Sequence, residues 1–221
     1  VPASASDSNC KGLPSGQAAE LNEPRLTKKV DVYFSADVEA DGPIPGPYSM
    51  LSFAFVVAGT FDGCTFRRAL VDSPSFYAEL RPISEDFEPE AMAVNGLDRT
   101  RLLREGRDPA SVMLEATSWI KENANGGTPI LVAYPLSFDW TWLYWYFVRF
   151  ANKRSPFGHS RCFDLKTALA VKGRRTVSMS GHNQVPAELL GTTKHTHNAL
   201  DDAREQAEIF ANLFEWEGHR A

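Results

Sequence analysis

Cysteine is scarce in this chain, and the three that occur, Cys10, Cys64 and Cys162, are odd in number and widely spaced. They form no Cys-x-x-Cys or Cys/His zinc pattern, which argues against a disulfide framework and fits reduced thiols. Positive charge is short as well: 23 Lys and Arg stand against 28 Asp and Glu, a net charge of −5. That balance argues against a protein that grips nucleic acid by bulk charge. It leaves room for an enzyme that touches a few phosphates and uses metal ions to neutralise the rest. No apolar run approaches a membrane span, and no basic stretch followed by an apolar one stands at the N-terminus. These absences predict no membrane partner and a cytoplasmic location.

What is present suits a globular fold. The 221 residues are 43% hydrophobic and 23% charged, enough for one domain with an ample core. Residues 1–28, rich in Ser, Ala, Pro, Gly and Asn without periodicity, read as a mobile tail, and 29–221 as a single domain. Val30–Ala36 reads as a strand, Met50–Ala58 as a second closed by Gly59, and Cys64–Val71 with Ser75–Leu80 as a third and its extension. Short links between them predict an antiparallel meander.

The period then changes. Pro89–Val94 reads as a short helix stopped by Asn95-Gly96, and Asp108-Pro109 opens a longer one to about Asn123. Pro129–Tyr134 is a continuous apolar run, as in a strand buried on both faces. Ser137–Phe150 is aromatic nearly all round, a helix expected in the core or at a dimer contact. A strand at Arg161–Phe163, a helix over Asp164–Val171, a Ser/Gly/Asn-rich loop and a last helix from about Asn198 to Glu217 complete the order. The fold class is α/β, with antiparallel strands first and βα units after.

Three places carry chemistry. Asp37 and Glu39 end the first strand one residue apart, so strand alternation points both carboxylates at one spot, where a cation relieves their repulsion. Phe138-Asp139 stands where a buried strand yields to a helix, a usual place for α/β sites. His197-x-Ala199-x-x-Asp202 stands at the start of the last helix. Each has a plainer reading: Asp37 and Glu39 as a solvated strand end, Asp139 as an N-cap, and Asp201 or Asp202 as a complement to the helix dipole. His195 and His197 also make an H-x-H pair, open to a zinc reading, while His159, His182 and His219 stand in polar surroundings, with His159 and His182 expected to face solvent.

With these motifs in this order, the chain resembles the DnaQ-like 3′–5′ exonucleases of the DEDDh type, a branch of the RNase H-like superfamily. The likeness runs from about Val30 to Phe214. It implies an RNase H-like mixed sheet flanked by helices and a 3′–5′ exonuclease acting on a single-stranded 3′ end of DNA or RNA. It further implies two Mg²⁺ or Mn²⁺ ions held by Asp37, Glu39, Asp139 and Asp202, with His197 as general base and nucleoside 5′-monophosphates as products. Ala40 stands where the family often has Thr, and Ala133-Tyr134-Pro135-Leu136 where it commonly has a His-Asn pair.

Residue chemistry agrees with that picture. Two ions about 3.5–4 Å apart hold the attacking and leaving oxygens of a phosphodiester, and hard ions prefer carboxylates. An imidazole titrating near neutrality takes the proton of the attacking water. Val38, Ala40, Asn95, Leu97, Tyr134 and Phe138 are the candidate substrate contacts. Lys172, Arg174 and Arg175, like Lys153 and Arg154, read as phosphate contacts or as solvated loop charge. A homodimer is compatible with the aromatic helix. Two alternatives are a catalytically silent nucleic-acid-binding module on the same fold and a zinc hydrolase built on His195 and His197.

Overall fold

The computed structural model describes residues 29–70 and 72–218. The tail expected over 1–28 lies outside the described residues. Strands β1 (Asp31–Ala40) and β2 (Met50–Phe61) form a long antiparallel hairpin. The next two, β3 (Phe66–Arg68) and β4 (Ser75–Glu79), pair one after the other along the far edge of β2. The third limb of the expected meander is therefore one edge strand in two pieces. Strand β5 (Thr128–Ala133) lies parallel to β1, and β6 (Cys162–Asp164) parallel to β5, giving the order β3-β2-β1-β5-β6 with β4 beside β2. Sequence reading thus recovers the mixed α/β sheet with its antiparallel first limbs.

Both sheet faces are covered, and β1 shows why. Its even positions Val32, Phe34, Ala36 and Val38 enter a core beneath α3 (Pro109–Ala124) and α4 (Leu136–Phe150). The odd position Tyr33 enters a second core beneath α5 (Leu165–Lys172) and α6 (Ala199–Glu215), where its ring lies 4.7 Å from that of Phe210. Strand period two then carries Asp37 and Glu39 to the α6 side. The β1–β5 pairing ends at Ser35 and Val132, so both carboxylates stand on the part of β1 that runs on past its parallel pairing with β5.

Boundaries moved where local signals were ambiguous. β2 runs through Gly59 rather than stopping there; the register slips at that point, and a Cβ would meet the Arg67 carbonyl oxygen at 2.8 Å. Helix α1 (Pro89–Asn95) ends as expected on Gly96 at φ 65°. A helix absent from the sequence reading, α2 (Arg99–Glu105), follows, capped by Asp98, whose side chain accepts from Arg101 N. Only Leu102 of α2 is buried, so no apolar period announces it. Aromatic helix α4 buries Trp142, Leu143, Tyr146 and Phe147, as expected for core. No described helix is long and apolar enough to cross a membrane.

A buried ion pair braces the entry to the site. The Asp41 carboxylate is fully buried, accepts from Ser49 N at 2.5 Å, and meets Arg99 Nε at 2.9 Å. Arg99 also donates to Ser84 O at 2.5 Å, so the pair ties the end of β1 to α2. Arg99→Ala leaves a buried carboxylate without its cation and should cost about 3–5 kcal/mol. Chemical denaturation checks this, and a loss below about 1 kcal/mol would show that water reaches Asp41.

Candidate active site

Helix α6 brings the distant residues together. Asn198 caps it by accepting from Leu200 N and Asp201 N, and His197 precedes the cap at φ 59°. The buried stripe of α6 includes Asp202 and, one turn later, Gln206. Asp202 is 1% exposed, and its two carboxylate oxygens accept from Thr196 N at 2.7 Å and His197 N at 3.0 Å. Asp201 points outward, 45% exposed, towards Arg204. Between the two adjacent acids, Asp202 is the one that faces the sheet.

Asp37, Glu39 and Asp202 each place a carboxylate oxygen within 4.8 Å of the others. Gln206 Nε2 donates to Asp37 Oδ1 at 2.7 Å and leaves its own Oε1 buried without a hydrogen-bond partner. Asp139 lies in the first turn of α4, 4% exposed. It does not cap that helix; the Asp164 carboxylate does, accepting from Leu136 N at 3.0 Å while it also caps α5 at Thr167 N.

Electrostatics mark this group as strained when only protons are available. Burial, followed by the charges of Asp202 and Asp139, pushes the Glu39 carboxyl up to about 8. Asp37 is raised well above the carboxylate range by burial and then by Glu39 and Asp202, with the Gln206 amide opposing. Asp139 is raised by burial and by Asp37, and Asp202 chiefly by burial. Four acids whose charged forms are disfavoured by burial, and for Asp37, Glu39 and Asp139 by one another, form a donor set suited to hard divalent ions. The residues present fit such ions.

Three imidazoles gather beside Asp202. His197 groups with His195 and Asp202, on the outer side of the carboxylates. The rings of His182, His195 and His197 form a row, with centroids 4.7 and 4.6 Å apart. His182, read from sequence as solvent-facing, instead bonds Glu205 at 3.0 Å, and that bond raises its pKa. Glu205 is 5% exposed and was not singled out by sequence. Its position three residues after Asp202, on the same helical face, was the available signal.

Val38 and Ala40 are buried in β1, and Asn95 donates to Ala40 O at 3.0 Å while accepting from Leu97 N at 2.9 Å. Tyr134 is buried, its hydroxyl donating to Ser180 O at 2.8 Å. Phe138 is 39% exposed beside Asp139. Among the basic residues, Lys172 donates to Leu213 O and Phe214 O at the end of α6, and Arg175 to Gln184 O. Both therefore serve the fold.

A family model described as the 3′-5′ exoribonuclease Rv2179c-like domain matches residues 98–214. The chain is 34% identical over 181 residues to the 3′-5′ DNA exonuclease Cap18 of Escherichia coli, covering 81% of this chain and 90% of that protein. It is 29% identical over 131 residues to ribonuclease T of Shewanella denitrificans, covering 58% of this chain and 57% of the relative. Among solved structures, the nuclease domain of 3′hExo, a DEDDh family member bound to rAMP, superposes with a TM-score of 0.63 at 13% identity, covering 88% of this chain and 96% of that one. Escherichia coli exonuclease I with a dT13 oligonucleotide gives 0.57 at 14%, covering 85% of this chain and 41% of that one. At these identities the structural likeness speaks for the fold.

Proposed function

The chain belongs to the DEDDh, DnaQ-like family of 3′–5′ exonucleases, and from that premise we propose that Asp37, Glu39, Asp139 and Asp202 hold two Mg²⁺ or Mn²⁺ ions for removal of 5′-mononucleotides from a single-stranded 3′ end. The observation that carries this reading is the convergence of the carboxylate oxygens of Asp37, Glu39 and Asp202 within 4.8 Å, with Asp139 buried and near enough for charge repulsion with Asp37 and Glu39. When bound, the ions supply charge neutralisation for the phosphate and for the attacking and leaving oxygens.

The chain's own residues do the rest. The four carboxylates fix the donor positions on a strand and two helices, rigid supports that hold geometry better than loops. His197 accepts a proton from the attacking water, and its place ahead of the α6 cap leaves its ring on the solvent side. Asn95 holds the Ala40 carbonyl and the Leu97 amide, so Leu97 and the backbone of Val38 and Ala40, whose side chains lie in the core, are the proposed contacts to the terminal nucleotide. Phe138, exposed beside Asp139, offers its ring to a base. Tyr134 supports the site from beneath through Ser180.

DNA is the first substrate to test, because a relative covering 81% of this chain is described as a DNA exonuclease. RNA stands beside it, because the matching family model is described as an exoribonuclease. Matched 5′-labelled DNA and RNA oligonucleotides with Mn²⁺ should shorten stepwise from the 3′ end. Label released at once as a mononucleotide would indicate the opposite polarity and sink the proposal. His197→Ala should slow turnover by about 10²–10⁴-fold with little change in KM, as loss of a general base does. An unchanged kcat would remove His197 from that role.

A further inference from the structure

We propose that His182, His195 and Glu205 form a separate binding site for a zinc-class divalent ion, on the outer side of Asp202. One ligating atom from each of the three lies within 4.8 Å of the others. His182 Nε2 stands 3.0 Å and His195 Nδ1 3.4 Å from the same oxygen, Glu205 Oε2. A tetrahedral ion with bonds of about 2.0–2.1 Å spaces its donors about 3.3 Å apart, so the observed separations match two edges of that figure. Asp202 Oδ2, which belongs to the carboxylate group, lies 3.2 Å from His195 Nδ1, so the two sites adjoin there.

The donor types separate this site from the carboxylate group. Two imidazoles and one carboxylate suit zinc, copper or nickel, whereas Mg²⁺ prefers oxygen. Glu205 is nearly buried, so water competes poorly for its oxygen. The supports are built as well. Gly181 N donates to Gln184 Oε1 at 3.0 Å, and Gln184 O accepts from Arg175 at 2.8 Å, closing the turn that carries His182. A plain His182–Glu205 ion pair accounts for one contact only. It leaves His195 with a single nitrogen, Nδ1, facing two carboxylates and a ring 4.7 Å from that of His182. An ion shared by both imidazoles accounts for all of these contacts. Once bound, it tethers the segment 173–198 to α6 beside His197.

The test uses the full chain with Asp37→Asn and Glu39→Gln, which removes two donors of the carboxylate group, so its result does not depend on nuclease activity. Titration with Co²⁺ should give one equivalent with the visible bands of a four-coordinate ion, displaced by Zn²⁺. Adding His182→Asn should weaken binding by more than about 100-fold, since loss of supporting groups alone costs 10–100-fold. His182 sits 28% exposed in a one-turn 3-10 helix, so this variant should fold, and circular dichroism verifies it. Equal Co²⁺ affinity with and without His182, or no binding in either, would overturn the proposal and leave an ion pair only.

Discussion

Asp37→Asn should abolish exonuclease turnover and at the same time stabilise the metal-free protein. The partly buried carboxylate stands among Glu39, Asp202 and Glu205, each of which disfavours its charge. An amide keeps the shape and removes one member of the repelling set. Trading a functional charge for stability is a recurrent pattern in active sites, worth about 1–2 kcal/mol, or roughly 2–8 °C in Tm for a chain of this size. Turnover should fall by about 10³-fold or more, because loss of ion placement removes several kcal/mol of charge stabilisation. Differential scanning calorimetry in EDTA, paired with single-turnover digestion, reads both effects. A variant that loses activity and stability together would mean that Asp37 holds the fold rather than the ions.

The metal-free protein should become less stable as pH rises from about 4.5 to 8, the interval between the unfolded and folded titration of Glu39. Below that interval both states carry the proton. Within it the folded state keeps a proton that the unfolded state has lost, so raising the pH favours unfolding. Asp37 and Asp139, raised in the same direction, add to the slope. A bound cation reverses the preference by favouring the ionised form. The Tm increase from Mn²⁺ should therefore be large at pH 8 and small at pH 5. A metal-free Tm that is flat or rising across that interval would contradict this electrostatic picture.

Local and periodic signals were legible in the sequence. Asp37 and Glu39 could be paired from strand alternation alone, because β1 is regular and its alternate residues enter different cores. The caps at Asp108 and Gly96 announced α3 and ended α1. What escaped depends on distant packing. His182 lies in a segment of isolated 3-10 turns without apolar period, and only the folded chain sets it against Glu205. Glu205 reads as an ordinary helical charge until α6 is turned against the sheet. Asp41 looks like the start of a turn, and its partner Arg99 stands 58 residues away. Charge that is buried by tertiary contact leaves no local mark on the sequence, whereas amphipathic period and turn chemistry do.

The central claim is that the acidic group on β1, α4 and α6 holds the ions that cleave the 3′ end. Counting Mn²⁺ per chain tests it most directly, by titration calorimetry with a non-hydrolysable single-stranded oligonucleotide. A His182→Asn background keeps the imidazole cluster out of the count. Two ions should bind per chain, and Asp37→Asn or Asp202→Asn should remove at least one of them. A stoichiometry unaffected by either substitution would contradict the assignment.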